Sequence, residues 1–112
     1  MEINANQEQG IQVMSLVGSF DTASAAETEP EFIEQIGDGS GKFLVDFSEV
    51  PYIASSGLRI LLKMAQAIKA GGGALYLCSL NNIVREVFEI SGFDKILDVA
   101  DNKEQVFGKL GQ

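Results

Sequence analysis

The stretch LVDFSEVPYIASSGLRIL (Leu44–Leu61) decides the fold. The segment Phe43–Phe47 is apolar almost throughout, which is typical of a strand covered on both faces. The residues after Gly57 carry an apolar stripe at the spacing of one helix face, namely Leu58, Leu61, Leu62, Ala65 and Ile68. We therefore predict that a buried strand leads through a loop into a helix that runs to about Ala70, with Ser55 and Ser56 at the junction.

Strand and helix patterns alternate on both sides of this stretch. Upstream, two strands near residues 2–6 and 10–20 are joined by a turn at Gln9-Gly10. Downstream, Ala74–Leu80 is a buried strand, and the next helix begins at Asn81 or Asn82 and ends at Gly92. A short strand at Ile96–Val99 precedes a last helix, which is capped by Asn102 and carries Val106, Phe107 and Leu110. This order predicts an α/β fold.

The sheet is expected to be mixed and mostly parallel, with four to five strands and about four helices. At 112 residues the chain is long enough for one core, so we predict a single domain over residues 1–112.

Asp21-Thr22 is expected to cap the first helix, which contains Pro30. Proline lacks the amide hydrogen and clashes with the preceding turn, so we expect a kink or a second start rather than an unbroken helix over residues 22–36. We expect Phe32, Ile33 and Ile36 to face the core.

Composition excludes several classes of function. The net charge is −8, which argues against nucleic acid or an anionic membrane as a partner. The single cysteine, Cys78, lies in an apolar run and is expected to be a small buried residue. No apolar run is long enough to cross a bilayer, and the N-terminus lacks the features of a signal peptide. We therefore expect a cytoplasmic protein.

Catalysis by this domain is not expected. The sequence has no histidine to activate Ser55, and no Ser-x-x-Lys pattern replaces it. We predict no catalytic residue, no cofactor and no metal. One of the two serines is expected to cap the helix, and Gly57 is expected to leave the backbone open to a partner.

A more remote alternative is a receiver-like domain in which Asp46 accepts a phosphoryl group. Asp46 lies in a buried strand with Pro51 downstream. That chemistry needs further carboxylates to bind magnesium, and Asp21 is the one early candidate.

Four motifs resemble the STAS domain of anti-sigma factor antagonists. They are GSFD (Gly18–Asp21), LVDFSEVPYIASSGLRIL (Leu44–Leu61), GGGALYLCSLNNIVREVFEISGF (Gly71–Phe93) and ILDVADNKEQV (Ile96–Val106). The resemblance covers nearly the whole chain from about Ile11 onward.

The resemblance implies a binding protein that switches partners. In this family an anti-sigma factor that is also a serine kinase phosphorylates the first serine of the pair, which is Ser55 here. The phosphorylated antagonist is released, and a serine phosphatase resets it. By motif position, the residues implied to bind the partner are Asp21, Ala54, Ser55, Ser56, Gly57 and Arg59.

One departure from the family leaves a second function open. Many members have aspartate before the serine pair, whereas this chain has Ala54. The alternative is a constitutive STAS scaffold or an accessory subunit of a transporter, for example a lipid-transport ATPase.

Overall fold

The computed structural model describes residues 1–110, and the side chain of Leu110 and residues 111–112 lie outside that description. The elements in chain order are β1 (Glu2–Glu8), β2 (Ile11–Val17), α1 (Thr22–Ile36), β3 (Lys42–Glu49), α2 (Ser55–Ala70), β4 (Ala74–Cys78), α3 (Asn82–Ser91), a 3-10 turn (Phe93–Lys95), β5 (Asp98–Ala100) and α4 (Lys103–Leu110). The predicted inclusion of Leu110 in the last helix is confirmed for its backbone.

The five strands form one sheet in the order β1-β2-β3-β4-β5. Strand β1 pairs antiparallel with β2, and the other three pairings are parallel. The predicted α/β fold with a mixed, mostly parallel sheet and about four helices is therefore confirmed. Within residues 1–110, no helix combines the length and the apolar character that crossing a bilayer requires.

The turn between β1 and β2 follows from two residues. Gln9 and Gly10 have φ values of 53° and 79°, and Glu8 pairs with Ile11 across the turn. Two successive positive φ values are typical of a type I′ hairpin turn, whose twist matches that of the flanking strands. The turn predicted at Gln9-Gly10 is confirmed.

Helices cover both faces of the sheet. The larger buried cluster joins one face of the central strands to α1, α2 and α3, and it includes Met14, Val45 and Leu77. The opposite face carries Val13, Leu44 and Cys78, which pack with Val106 of α4. Strands β2 and β3 are thus buried on both sides, which explains why their sequences are apolar in runs.

Helix α1 has no second start at Pro30, and it corrects one predicted core residue. It continues from Thr22 to Ile36 through Pro30 without interruption. Pro30 is exposed, so water can reach the carbonyl of Ala26 that proline leaves unpaired, while Phe32 and Ile36 anchor the helix on its buried side. The prediction that Ile33 faces the core is wrong, because this residue is 59% exposed.

Helix α2 buries a wider face than the apolar stripe in its sequence predicted. Leu58, Leu61 and Ile68 are buried as expected, and Leu62 and Ala65 are half-buried. Ile60 and Met64 are also buried, because α2 packs against α1 as well as against the sheet.

The predicted ends of the later elements are largely confirmed. Asn81 caps α3 by accepting from the amide of Val84 at 2.8 Å, and Gly92 ends that helix with φ 79°. Asn102 accepts from the amide of Gln105 at the start of α4. The last strand begins later than predicted, at Asp98, because Ile96 and Leu97 continue the turn after the 3-10 segment, with both amides donating to the Phe93 carbonyl.

Candidate functional site

The loops before α1 and α2 are joined by backbone hydrogen bonds at the carboxyl edge of the sheet. The Phe20 amide donates to the Tyr52 carbonyl, and the Ala54 amide donates to the Phe20 carbonyl, both at 2.9 Å. These bonds extend the pairing of β2 and β3 beyond the strands, through a parallel bridge between Phe20 and Ile53. Asp21 and Ser55, the next residues after each bonded segment, therefore begin neighbouring helices side by side.

Neither serine caps α2, which corrects the sequence prediction. The cap is Ala54, which is extended at φ −94° and ψ 168° and has no side chain that can bond to the helix amides. The Ala54 carbonyl accepts from the amides of both Gly57 and Leu58, so the helix begins one residue earlier than a serine cap requires. Ser55 and Ser56 are the first two helical residues.

The two serine side chains differ in their surroundings. Ser55 is exposed, and no residue in the described range 1–110 hydrogen-bonds its hydroxyl. The Ser56 hydroxyl is half-buried and donates to the hydroxyl of Thr22 on α1, at 3.1 Å. One hydroxyl is thus available for chemistry, while its neighbour links the two helices.

Asp21 carries a fixed negative charge at this edge. Its carboxylate accepts from the amide of Ser24 at 3.0 Å, while the Ser24 hydroxyl accepts from the Asp21 amide at 2.9 Å. The amide bond from Ser24, aided by the Ser24 hydroxyl, holds the pKa of Asp21 below its ordinary value. The predicted capping role of Asp21 is confirmed.

Gly57 has a different role from the one expected. It is buried and faces inward, where a Cβ atom would lie 3.0 Å from Ile53 and 3.0 Å from Phe20. The missing side chain therefore lets α2 approach the two joined loops closely. It does not open the backbone to a partner, and that prediction is wrong.

Arg59 and Ala54 lie on the accessible side of the junction. Arg59 is exposed four residues after Ser55, so both side chains share one face of α2. Within residues 1–110 the ion pairs are Lys63–Glu29, Arg85–Asp101 and Lys103–Glu8, so Arg59 keeps an unpaired charge there. Ala54 is half-buried.

The structure removes the basis for the receiver-like alternative. Asp46 is 8% exposed, and its carboxylate accepts from the amide of Ser48 at 2.9 Å. Among the described residues, no three side chains of the metal-binding types lie close enough together to hold an ion. The strand order 1-2-3-4-5 also differs from the 2-1-3-4-5 order of receiver domains.

Cys78 is a core residue, as predicted. It is fully buried on the α4 face of the sheet, and this burial raises the pKa of the thiol to about 11. Such a thiol stays protonated and unreactive at neutral pH.

Two supporting contacts were not identified from the sequence. Ser24 completes the cap of α1. The side-chain amide of Asn81 donates to the carbonyls of Val50 and Pro51, at 3.2 Å and 3.3 Å. Asn81 thereby ties the loop before α2 to the start of α3. The position of Asn81 before a helix predicted its capping role. Its bond to the Val50 carbonyl joins residues 31 apart in sequence, so only the folded chain reveals it.

Known proteins match this chain along most of its length. The family model for the STAS domain matches residues 2–106. The Bordetella bronchiseptica protein BtrV, named as an anti-sigma factor antagonist, is 36% identical over 104 residues, which are 93% of this chain and 90% of that protein. The anti-sigma-B factor antagonist of Bacillus subtilis is 27% identical over 107 residues, which are 93% of this chain and 96% of that protein.

Solved structures share the fold. A STAS domain protein from Planctomyces limnophilus has a TM-score of 0.90 at 20% identity and covers 98% of each chain. The anti-sigma factor antagonist SpoIIAA in its unphosphorylated form has a TM-score of 0.72 at 17% identity and covers 97% of each chain. The family model covers residues 2–106 and a relative is 36% identical over most of both chains, so the chain is a member of the STAS domain family.

Proposed function

We propose that this protein is a non-enzymatic antagonist of an anti-sigma factor that is also a serine kinase, and that phosphorylation of Ser55 releases it from that partner. The observation that carries the proposal is the Ser55 hydroxyl, which is exposed at the start of α2 and has no hydrogen-bond partner within residues 1–110. The names of the relatives supply the class of partner, because BtrV and the Bacillus subtilis protein are both named as antagonists of anti-sigma factors.

The contacts of the two hydroxyls favour Ser55 over Ser56 as the modified residue. A kinase must bring the acceptor oxygen in line with the phosphoryl group that it transfers. Ser55 can present its oxygen without breaking any bond to residues 1–110, whereas Ser56 would first have to give up its bond to Thr22.

The proposed partner surface surrounds Ser55 on the accessible side of the junction. Asp21 contributes a negative charge, Arg59 an unpaired positive charge, and Ala54 a small apolar contact. Ser56 fixes the start of α2 next to α1 through its bond to Thr22. Gly57 lets the same turn of α2 pack closely on Phe20 and Ile53.

Phosphorylation is expected to change binding rather than the fold. The phosphate would lie at the first turn of α2, where free amides and the helix dipole favour negative charge, and Ala54 provides no competing side chain there. It would add a charge of about −1.5 to −2 at pH 7 beside the ionised Asp21. Bulk and like-charge repulsion in a closely packed interface would then release the partner.

A serine phosphatase acting on phospho-Ser55 would complete the cycle. A cytoplasmic location is part of the proposal, since it is where the proposed partners would meet the protein. The net charge of −8 argues against direct binding to nucleic acid or to an anionic membrane.

The test is peptide-mapping mass spectrometry of the protein purified from its own cells, grown with and without stress. Because the two serines are adjacent, fragment ions that separate Ser55 from Ser56 are required. We expect phosphate on Ser55, with an occupancy that changes with growth conditions. Co-purification with Ser55→Ala should retain a kinase that Ser55→Asp loses, and Ser56→Ala is the matched control that should retain it.

Amide NMR spectra separate release from unfolding. Ser55→Asp should shift only resonances near the start of α2, and loss of spectral dispersion would contradict a switch that leaves the fold intact. Ser55 unmodified under every condition would instead favour the constitutive scaffold or transporter subunit. A co-purified ATPase in place of a kinase would identify that alternative.

A further inference from the structure

A groove of about 560 Å³ lies at the amino-terminal end of β4, between α2 and the turn that precedes β5. Apolar residues from all three segments line it, and they are Leu62, Ala65, Ile68, Leu75, Ile96 and Leu97. Lys69 also lines the groove, about 21 Å along the axis of α2 from Ser55. The groove is therefore remote from the proposed partner surface.

The groove exists because β5 begins later than β4. Strand β4 begins at Ala74, whereas β5 begins at Asp98, opposite Tyr76. The chain before β5 turns away from the sheet, because the amides of Ile96 and Leu97 both bond back to the 3-10 turn. The first two residues of β4 therefore have no neighbouring strand on that side.

One backbone amide lacks a partner at this gap. The amide of Ala74 donates to the Gly41 carbonyl on the side of β3, and successive residues of a parallel strand bond to opposite sides. The amide of Leu75 therefore faces the side of β5, where no residue in the described range 1–110 accepts from it. A ligand oxygen in the groove can accept this hydrogen bond.

Two charged residues line the groove, and each keeps an unpaired charge. Lys69 lies near the end of α2 and Asp98 lies at the start of β5, and both are exposed. The three ion pairs found within residues 1–110 involve other residues, and no hydrogen bond in that range engages either charged group. The groove thus offers one cation and one anion to a ligand.

We infer that this groove binds a short apolar peptide in its zwitterionic form. Its carboxylate would bind the Lys69 ammonium and the Leu75 amide, its ammonium would bind the Asp98 carboxylate, and its side chains would cover the apolar lining. A groove of roughly 300–1,000 Å³ that combines apolar walls with a few polar groups is typical of a small-ligand site.

Two other occupants fit the charges less well. A fatty-acid-like anion would satisfy Lys69 but would leave Asp98 without a counter-ion and add a second negative charge to the groove. An internal segment of a protein has no terminal carboxylate or ammonium, so its backbone would satisfy the Leu75 amide alone.

The inference does not rest on the proposed function, and its test does not involve Ser55. The probe is leucyl-leucine, titrated into the intact ¹⁵N-labelled protein and followed by amide NMR at physiological salt. N-acetyl-leucyl-leucine lacks the ammonium, leucyl-leucinamide lacks the carboxylate, and seryl-serine lacks the apolar side chains. Octanoate represents the fatty-acid-like anion.

We expect leucyl-leucine to shift the amide resonance of Leu75, since this amide gains a hydrogen bond. Each blocked analogue should bind about two- to fivefold more weakly, which is the range for exposed ion pairs. Seryl-serine should bind at least about tenfold more weakly, because it buries little apolar area.

Substitutions should locate the two charged contacts. Lys69→Gln should weaken leucyl-leucine by about two- to fivefold and leave leucyl-leucinamide unchanged, because that analogue has no carboxylate. Asp98→Asn should likewise weaken leucyl-leucine and leave the N-acetyl analogue unchanged. Lys95→Gln is the matched control, since Lys95 is exposed on the 3-10 turn and does not line the groove.

Three results would overturn the inference: no binding of leucyl-leucine up to its solubility limit, equal affinity for leucyl-leucine and both blocked analogues, or a Leu75 amide that does not shift at saturation. Tighter binding of octanoate than of leucyl-leucine would also overturn it, and would make an apolar anion the occupant. Because Ser55 lies at the opposite edge of the sheet, none of these results bears on the proposed switch.

Discussion

The hydroxyl of Ser56, at the start of α2, donates a hydrogen bond of 3.1 Å to the hydroxyl of Thr22, at the start of α1. This bond joins the first turns of two helices that are 34 residues apart in sequence. The bond also distinguishes the two serines from each other, because it engages the Ser56 hydroxyl and leaves the Ser55 hydroxyl accessible.

The link between Ser56 and Thr22 should be measurable as a coupling energy. Ser56→Ala and Thr22→Val remove the same bond, so each should lower the free energy of unfolding by about 0.5 kcal/mol, and the double variant should lose less than the sum. Urea denaturation of the four proteins measures this. Strictly additive losses would show that the two hydroxyls do not interact in solution.

The cap at Asp21 should make stability depend on pH. Hydrogen bonds from Ser24 lower the pKa of Asp21 below its ordinary 3.8, so the cap stabilises the folded protein above that value. This contribution should be lost as the pH falls through the lower pKa of the folded state. Asp21→Ala should therefore have a lower urea midpoint than the wild type at pH 7, and the two midpoints should converge at strongly acidic pH.

Asp21→Asn is the control for this cap. Its side-chain oxygen can still accept from Ser24, so it should recover most of the stability at pH 7 without an ionisable group. A midpoint for Asp21→Ala that follows the wild type in parallel at every pH would contradict the assignment.

Substitution of Gly57 should destabilise the protein. The Cβ atom of Gly57→Ala would lie 3.0 Å from Phe20 and Ile53, which are fully buried and have little room to move. Such overpacking costs roughly 1–3 kcal/mol. Gly108→Ala is the matched control, because a Cβ atom there meets nothing within 4 Å, and it should be neutral or stabilise by up to about 1 kcal/mol. Equal changes in the melting temperature for Gly57→Ala and Gly108→Ala would contradict the packing role of Gly57.

Substitution of Pro30 should stabilise α1. Pro30 lies inside a continuous helix and is exposed, so Pro30→Ala restores an amide donor for the carbonyl of Ala26 without loss of packing. We expect a gain of roughly 1 kcal/mol, which is less than the full helix penalty of proline because proline also restricts the unfolded chain. A loss of stability in urea denaturation would indicate that the helix needs proline at this position.

The resemblance in the sequence motifs identified the family, and local patterns predicted most of the elements. Asp21, Asn81 and Asn102 were recognised as caps because each bonds an amide only three residues away. The turn at Gln9-Gly10 and the helix end at Gly92 depend on the φ preferences of single residues. The choice of Ser55 over Ser56 as the candidate site followed from its motif position in the resemblance to the family.

By itself, then, the sequence determined the order of strands and helices, the caps of α1, α3 and α4, and the family, because these depend on neighbours a few residues apart. The tertiary structure decided that Ala54 rather than a serine caps α2, that Ser56 bonds Thr22, and that Gly57 faces Phe20. It also kept α1 continuous through Pro30 and left Ile33 exposed on that helix. Each of these outcomes depends on how closely α1, α2 and the joined loops approach one another, and that distance is set by side chains far apart in the sequence.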